Sequence, residues 1–252
     1  MKTVVISNQK GGVGKSTIAT HLAMQAHSMN LKVLFVDFDI QGNSSKFLSS
    51  RFKGDKTFEQ NSTYNLFSEA SSDINSDVEF YLASGTSKLA NISEENLQTW
   101  VNNHNFLSDH FDICIVDTPP TIGLPQIAPM LVCNYVLSPI ELSAFSIDGA
   151  TNMLKTLTNI KKNYNSKIEF LGLLPSRFNK NNNRQKTIYH DLTNKFSSYM
   201  YPNDMVVPER QAFADSSYLN LPIWEIKDHV APKVSTKTRP VFLDIISKIV
   251  NK

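Results

Sequence analysis

The run Gln9-Lys10-Gly11-Gly12-Val13-Gly14-Lys15-Ser16-Thr17 contains the residue types that hold a polyphosphate. Glycines let successive backbone N–H groups turn inward, and the helix expected from Ser16 offers its positive end to an anion. Gly14-Lys15-Ser16 closes a phosphate loop, with Lys15 placed for the β and γ phosphates and the Ser16 hydroxyl for Mg²⁺. The first glycine of the usual G-x-x-x-x-G-K-[ST] pattern is absent. Gln9 stands in its place, and Lys10 adds a cation that an ordinary phosphate loop does not require. Two further segments carry acids. Asp37 and Asp39 leave an apolar run at 32–37, and Asp117 closes another at 111–117. An acid at that second position suits Mg²⁺ held through water, because the ion dehydrates reluctantly. Asp37 and Asp39 point the same way if the strand persists and diverge if the chain turns between them, so the spacing leaves both arrangements open.

The elements that must position these groups follow from hydrophobic patterning. Thr3 to Ser7, Lys32 to Asp37, Phe111 to Asp117, Asn134 to Pro139 and Ile168 to Leu174 are continuously apolar runs, as parallel strands covered on both faces are. Glu79 to Gly85 reads as a shorter strand, and residues 43–77 as loops and short helices anchored by Phe47, Leu48 and Phe52. Helical spacing appears at Ile18, Ala19, Leu22, Ala23 and Ala26, from Phe145 to Tyr164, from Thr187 to Tyr201, and from Arg239 to Lys252; Ser93 caps another helix. Strand, helix, strand units of this length form right-handed crossovers. The predicted fold is α/β: one doubly wound domain over 1–252, with a mostly parallel sheet and helices on both faces. Ligands of such sheets bind at the carboxyl ends of the strands, where the glycine loop and the acids fall.

Lys10-Gly11-Gly12-Val13-Gly14-Lys15-Ser16 resembles the deviant Walker A motif of the ParA/MinD superfamily of dimerising ATPases. The resemblance covers nearly the whole chain and is most specific at three motifs. It implies ATP and Mg²⁺ as ligands, with nucleotide bound by Lys10, Gly11, Gly12, Val13, Gly14, Lys15, Ser16 and Thr17. Lys10 would cross to a nucleotide in a partner subunit. Asp37-Phe38-Asp39 is similar to the Walker A′ motif, which implies that Asp39 aligns the attacking water and Asp37 supports the metal shell; Ile40 stands where the family usually has proline. Asp117, with Ser16, would hold the metal, and Thr118-Pro119-Pro120 resembles switch II. Catalysis would thus fall to Lys10, Lys15 and Asp39. Asn179, Pro208 and Asp215 would lie toward the adenine, although the family's downstream Glu-Ala-Pro is altered to Asp215-Ser216-Ser217 here.

Charge separates along the chain. Residues 1–160 carry 10 Lys/Arg and 15 Asp/Glu, a net −5, while 161–252 carry 15 and 8, a net +7. A basic half attracts nucleic acid or simply forms a solvated face. The ParA branch binds DNA without reading sequence, which singles out Lys180, Arg184, Lys186, Arg210, Lys233 and Lys237 as candidates. Expected partners are a second copy of the chain, non-specific DNA and a ParB-type centromere-binding protein, in plasmid or chromosome segregation. The rivals are a MinD-like membrane regulator, a positioner of protein cargo, and a metabolic ligase or kinase of the same superfamily. The terminal apolar stripe Val241, Phe242, Ile245, Ile246, Ile249 and Val250 fits a closing core helix better than a membrane anchor, since few lysines border it. No apolar run is long enough to span a membrane and no charged-then-apolar leader is present, which predicts a cytoplasmic protein, and the ParA resemblance implies that it associates with the nucleoid. A glycine loop starting at residue 9 leaves no room for an N-terminal helix-turn-helix. Cys114 and Cys133 lack metal-ligand spacing and read as reduced core thiols, against the iron-sulfur relatives.

Overall fold

The computed structural model describes residues 1–71, 74–209, 211–227 and 229–251. The strands are β1 (Lys2–Ile6), β2 (Val33–Asp37), β3 (Phe58–Ser62), β4 (Phe80–Ser84), β5 (Ile113–Asp117), β6 (Tyr135–Glu141) and β7 (Glu169–Ser176). Among the described residues they form one sheet in the order β3-β4-β2-β5-β1-β6-β7, with every pairing parallel. The chain leaves β1 toward one edge and, after β5, returns past β1 toward the other. Every strand therefore delivers its carboxyl end to one rim, and the reversal leaves a crevice there for a ligand.

Between the strands run α1 (Lys15–Ser28), α2 (Asn43–Arg51), α3 (Asn65–Ser68), α4 (Leu97–Leu107), α5 (Leu124–Ile127), α6 (Ser146–Asn163), α7 (Asn183–Phe196), α8 (Gln211–Leu219) and α9 (Ala231–Val250). Strand side chains alternate between two cores. Val4, Ile6, Val33, Phe35, Ile113 and Ile115 pack with α1 and α9, while Val5, Leu34, Val36, Cys114 and Val116 pack with Trp100 of α4 and Met153, Leu157 and Ile160 of α6. Both faces of the sheet are buried, which is why its strands read as unbroken apolar runs. Both cysteines are free thiols in the second core, and burial pushes Cys114 up to about 12.

Three boundaries differ from expectation. β3, Phe-Glu-Gln-Asn-Ser, lies inside the segment read as loops and short helices. It is an edge strand paired only to β4, so it needs little apolar character. β6 continues through Pro139 to Glu141, because its pairing with β1 ends at Leu137 and the missing N–H costs no ladder bond on that side. α9 begins at Ala231, eight residues before the expected start at Arg239, and carries Pro240 within it. Its Val241, Phe242, Ile245, Ile246 and Ile249 are buried against the sheet, each contributing about 2 kcal/mol by leaving water. That face is not available to a membrane, and among the described residues no helix is long and apolar enough to cross one.

Candidate functional site

A cavity of about 670 Å³ opens at the carboxyl rim beside β1. One end is lined by Gly11, Gly12, Gly14, Lys15, Ser16 and Thr17. Gly12 and Gly14 adopt φ of 76° and 89°, a left-handed conformation that ordinary side chains resist. The loop can therefore curl its N–H groups inward and enter α1 directly, with Gly14 as N-cap. The Ser176 hydroxyl, at the end of β7, donates to the Val13 carbonyl at 2.5 Å and pins the loop from outside; Val13 itself is buried behind it. Lys15 is 6% exposed and its amine donates to the Lys10 carbonyl at 3.1 Å. Burial pushes its pKa down, opposed by the charges of Asp117 and Asp39.

The acids behave differently from one another. β2 ends at Asp37 and the chain then turns, with the Gly42 N–H donating to the Asp39 carbonyl, so Asp37 and Asp39 diverge. Asp39 is half-buried and lines the cavity. Asp37 is fully buried and accepts three hydrogen bonds, from the Asp39 N–H at 2.9 Å and from the Ser45 N–H at 3.0 Å and hydroxyl at 2.6 Å. Asp117 is its register partner on β5. One Asp117 oxygen, Oδ2, accepts from the Ser44 hydroxyl at 2.5 Å, and the other, Oδ1, is buried with no hydrogen-bond partner among the described residues. Burial pushes both carboxyls upward, and for Asp37 the charge of Asp117 adds to the push; for Asp117 the hydroxyls of Ser44 and Ser16 and the Lys15 ammonium oppose it. An orphaned carboxylate oxygen beside Ser16 fits a hydrated Mg²⁺, because a metal-bound water would satisfy it. Asp37, with three hydrogen bonds from the segment that follows it, has the bonding of a residue that fixes the turn after β2.

Lys10 does not line the cavity of its own chain. Its amine pairs with Glu141 Oε2 at 2.6 Å and donates to the Ser143 hydroxyl at 3.0 Å, both at the end of β6. Pro120 lines the cavity, Pro119 is buried behind it, and the Thr118 hydroxyl donates to the Ile6 carbonyl at 2.9 Å, tying this segment to β1. Pro208, with Phe213 and Ser217 of α8, also lines the cavity. Asn179 and Asp215 do not. The Asn179 side-chain oxygen is taken by the Asn181 N–H in a local turn, and Asp215 accepts from Gln211 one turn back along α8. Arg177 occupies a place that the sequence did not single out: it lines the cavity with φ 54° and donates to the Gly12 carbonyl at 3.1 Å. Of the basic candidates, Lys180, Arg184 and Lys186 are exposed at and before the start of α7, and Lys233 and Lys237 are exposed one turn apart on α9. Arg210 lies outside the described residues.

Ser44, Ser45, Ser176 and Gly85 were also missed. A serine carries no pattern of its own, and Gly85 declares its importance only in space. A Cβ there would stand 2.1 Å from the Asp39 carbonyl oxygen and 3.0 Å from Asp37 Cγ.

Residues 1–170 match the AAA domain family. Protein IncC of Escherichia coli is 32% identical over 99% of this chain and 70% of its own length. The chain belongs to the ParA/MinD superfamily of ATPases. Within the ParA group, the chromosome-partitioning ATPase Soj of Treponema pallidum is 24% identical, with 88% of each chain covered. The same ParA-type fold recurs in Cyanothece McdA, solved in complex with ATP, at a TM-score of 0.79 and 22% identity over 98% of this chain and 96% of that one.

Proposed function

We propose that this chain is a partition ATPase that binds ATP and Mg²⁺, closes into a nucleotide-sandwich dimer, binds DNA without sequence preference and segregates a plasmid or chromosome with a ParB-type partner. Lys10 carries the reading. Its amine does not line the cavity of its own chain but is held by Glu141 and Ser143 beside it, a placement that suits a nucleotide held by a second copy. The partition relatives at 32% and 24% identity support the biological task.

In this reading the glycine loop and Lys15 would hold the phosphates, the Ser16 hydroxyl would bind Mg²⁺ and Asp117 would hold it through water, and the ion would supply charge neutralisation on the phosphates. Asp39, half-buried in the cavity wall, orients the attacking water, while Asp37 keeps the turn beneath it rigid. Lys10 of each subunit neutralises charge that builds on the other's triphosphate. Phosphoryl transfer needs little beyond placement and charge compensation, so a site shared by two chains makes dimerisation the gate on turnover. Loss of the γ-phosphate releases the Thr118-Pro119-Pro120 segment and the pair separates. The burial of the α9 stripe favours this reading over a MinD-like membrane anchor.

The test combines dimerisation with DNA binding. With ATP, the wild type is expected to dimerise and to shift arbitrary duplex DNA with an affinity that falls steeply as salt rises, while Lys10→Ala binds nucleotide but stays monomeric. Wild-type dimerisation by Lys10→Ala, or no DNA shift at low salt, would refute the corresponding half.

A further inference from the structure

Asp37 and Asp117 sit side by side on adjacent parallel strands, about 4.8 Å apart across the ladder, both without solvent contact. Two consecutive residues at the start of α2 divide them. Ser45 serves Asp37 with its N–H and hydroxyl, and Ser44 serves Asp117 with its hydroxyl alone. Ser44 is itself only 1% exposed. It lines, with Ser16 and Thr17, a second cavity of about 480 Å³ against the first turn of α1. The hydroxyl thus stands between the β5 carboxylate and the helix that follows the phosphate loop.

We propose that Ser44 is a positioning residue for Mg²⁺: by holding Asp117 Oδ2 it fixes the plane of the carboxylate and keeps Oδ1 free for a metal-bound water. The Ser44 hydroxyl makes the short hydrogen bond to Oδ2, and Oδ1 is the buried orphan described above. The Ser16 hydroxyl and the Lys15 ammonium also act on this carboxylate, and both serve the nucleotide in the reading above. Ser44 acts through Asp117 and touches neither metal nor phosphate. Outer-shell partners of this kind are worth about 10- to 100-fold in metal affinity. This inference rests on the ATP and Mg²⁺ reading above and assigns to α2 a part in it.

The experiment titrates Mg²⁺ into full-length protein holding a fluorescent ATP analogue, and compares binding of the analogue in EDTA. Ser44→Ala is expected to raise the Mg²⁺ midpoint about tenfold, leave binding in EDTA within about twofold of wild type, and be rescued by Ser44→Thr, which keeps the hydroxyl. An unchanged Mg²⁺ midpoint in Ser44→Ala overturns the inference. So does an equal loss with and without Mg²⁺, which marks a merely structural serine. Should Ser44→Ala not fold, Ser44→Cys keeps the volume, weakens the hydrogen bond and is read by the same two criteria. Wild-type protein that binds no analogue, or binds it indifferently to Mg²⁺, would instead sink the nucleotide reading itself.

Discussion

Glu141→Gln is expected to tighten ATP-dependent dimerisation. In the monomer the Lys10 ammonium is paired with Glu141 at 2.6 Å and also donates to Ser143, so a lysine that must reach a second subunit begins in a contact it has to leave. The side chains of the pair are 38% and 26% exposed, and water screens such a pair to about 0.5–1 kcal/mol. Two pairs break for each dimer formed, so removing the charge of Glu141 lowers the dimer dissociation constant by about 1–2 kcal/mol, or about five- to thirtyfold. Glutamine keeps the size and an acceptor oxygen, which confines the change to the Coulombic part. Sedimentation velocity across a protein dilution series, with a non-hydrolysable ATP analogue, reads the constant directly. Added salt should narrow the gap between wild type and variant, because it screens a half-open ion pair. An unchanged constant would refute the reasoning, and a weaker one would place Glu141 among the groups that hold the dimer together.

Three further outcomes are expected. His21 is wholly buried, its Nδ1–H donates to the Thr17 carbonyl at 2.7 Å, and burial pushes its pKa down to about 4; His104, also buried, is pushed to about 4. The unfolded chain takes up these protons first, so stability is fully present above pH 6.5 and falls toward pH 4, by about 3 kcal/mol for each imidazole. Urea unfolding against pH, with NMR titration of the rings, measures this, and imidazoles titrating near 6.5 in the folded protein would contradict it. Gly85→Ala should cost about 1–3 kcal/mol and depress ATP turnover, because its Cβ would drive into the Asp39 carbonyl; a melting temperature and turnover equal to wild type would show that the loops yield freely. Flotation with anionic liposomes and ATP should leave the protein in the unbound fraction, and its recovery with lipid would mean that α9 leaves its core.

The fold class and the phosphate loop were legible because they rest on periodic or positional signals. The apolar runs of β1, β2 and β5, and the Gly14-Lys15-Ser16 close before α1, each state their own geometry. What was hidden depends on contact. β3 is polar because one edge and much of its surface face water, so its pattern is that of a loop. The divergence of Asp37 from Asp39 is set by where β2 stops, and their spacing is compatible with either outcome. Ser44 and Ser45 are two ordinary residues until β5 brings Asp117 beside Asp37. Of the residues expected toward the adenine, Pro208 lines the cavity, while Asn179 and Asp215 each give an oxygen to a neighbour in their own turn or helix, a local bond that sequence spacing does not reveal.

The contact between α1 and α9 has a bearing on synthesis. The helix that follows the phosphate loop buries much of its apolar side beneath Val241, Phe242, Ile245 and Ile246, which the ribosome adds long afterwards. The cavity residues Pro208, Phe213 and Ser217 are likewise late arrivals. A nascent chain still on the ribosome would hold its loop glycines but neither the helix that covers α1 nor these cavity residues. Nucleotide capture, and with it any pairing of copies, should therefore be deferred until translation has passed α9.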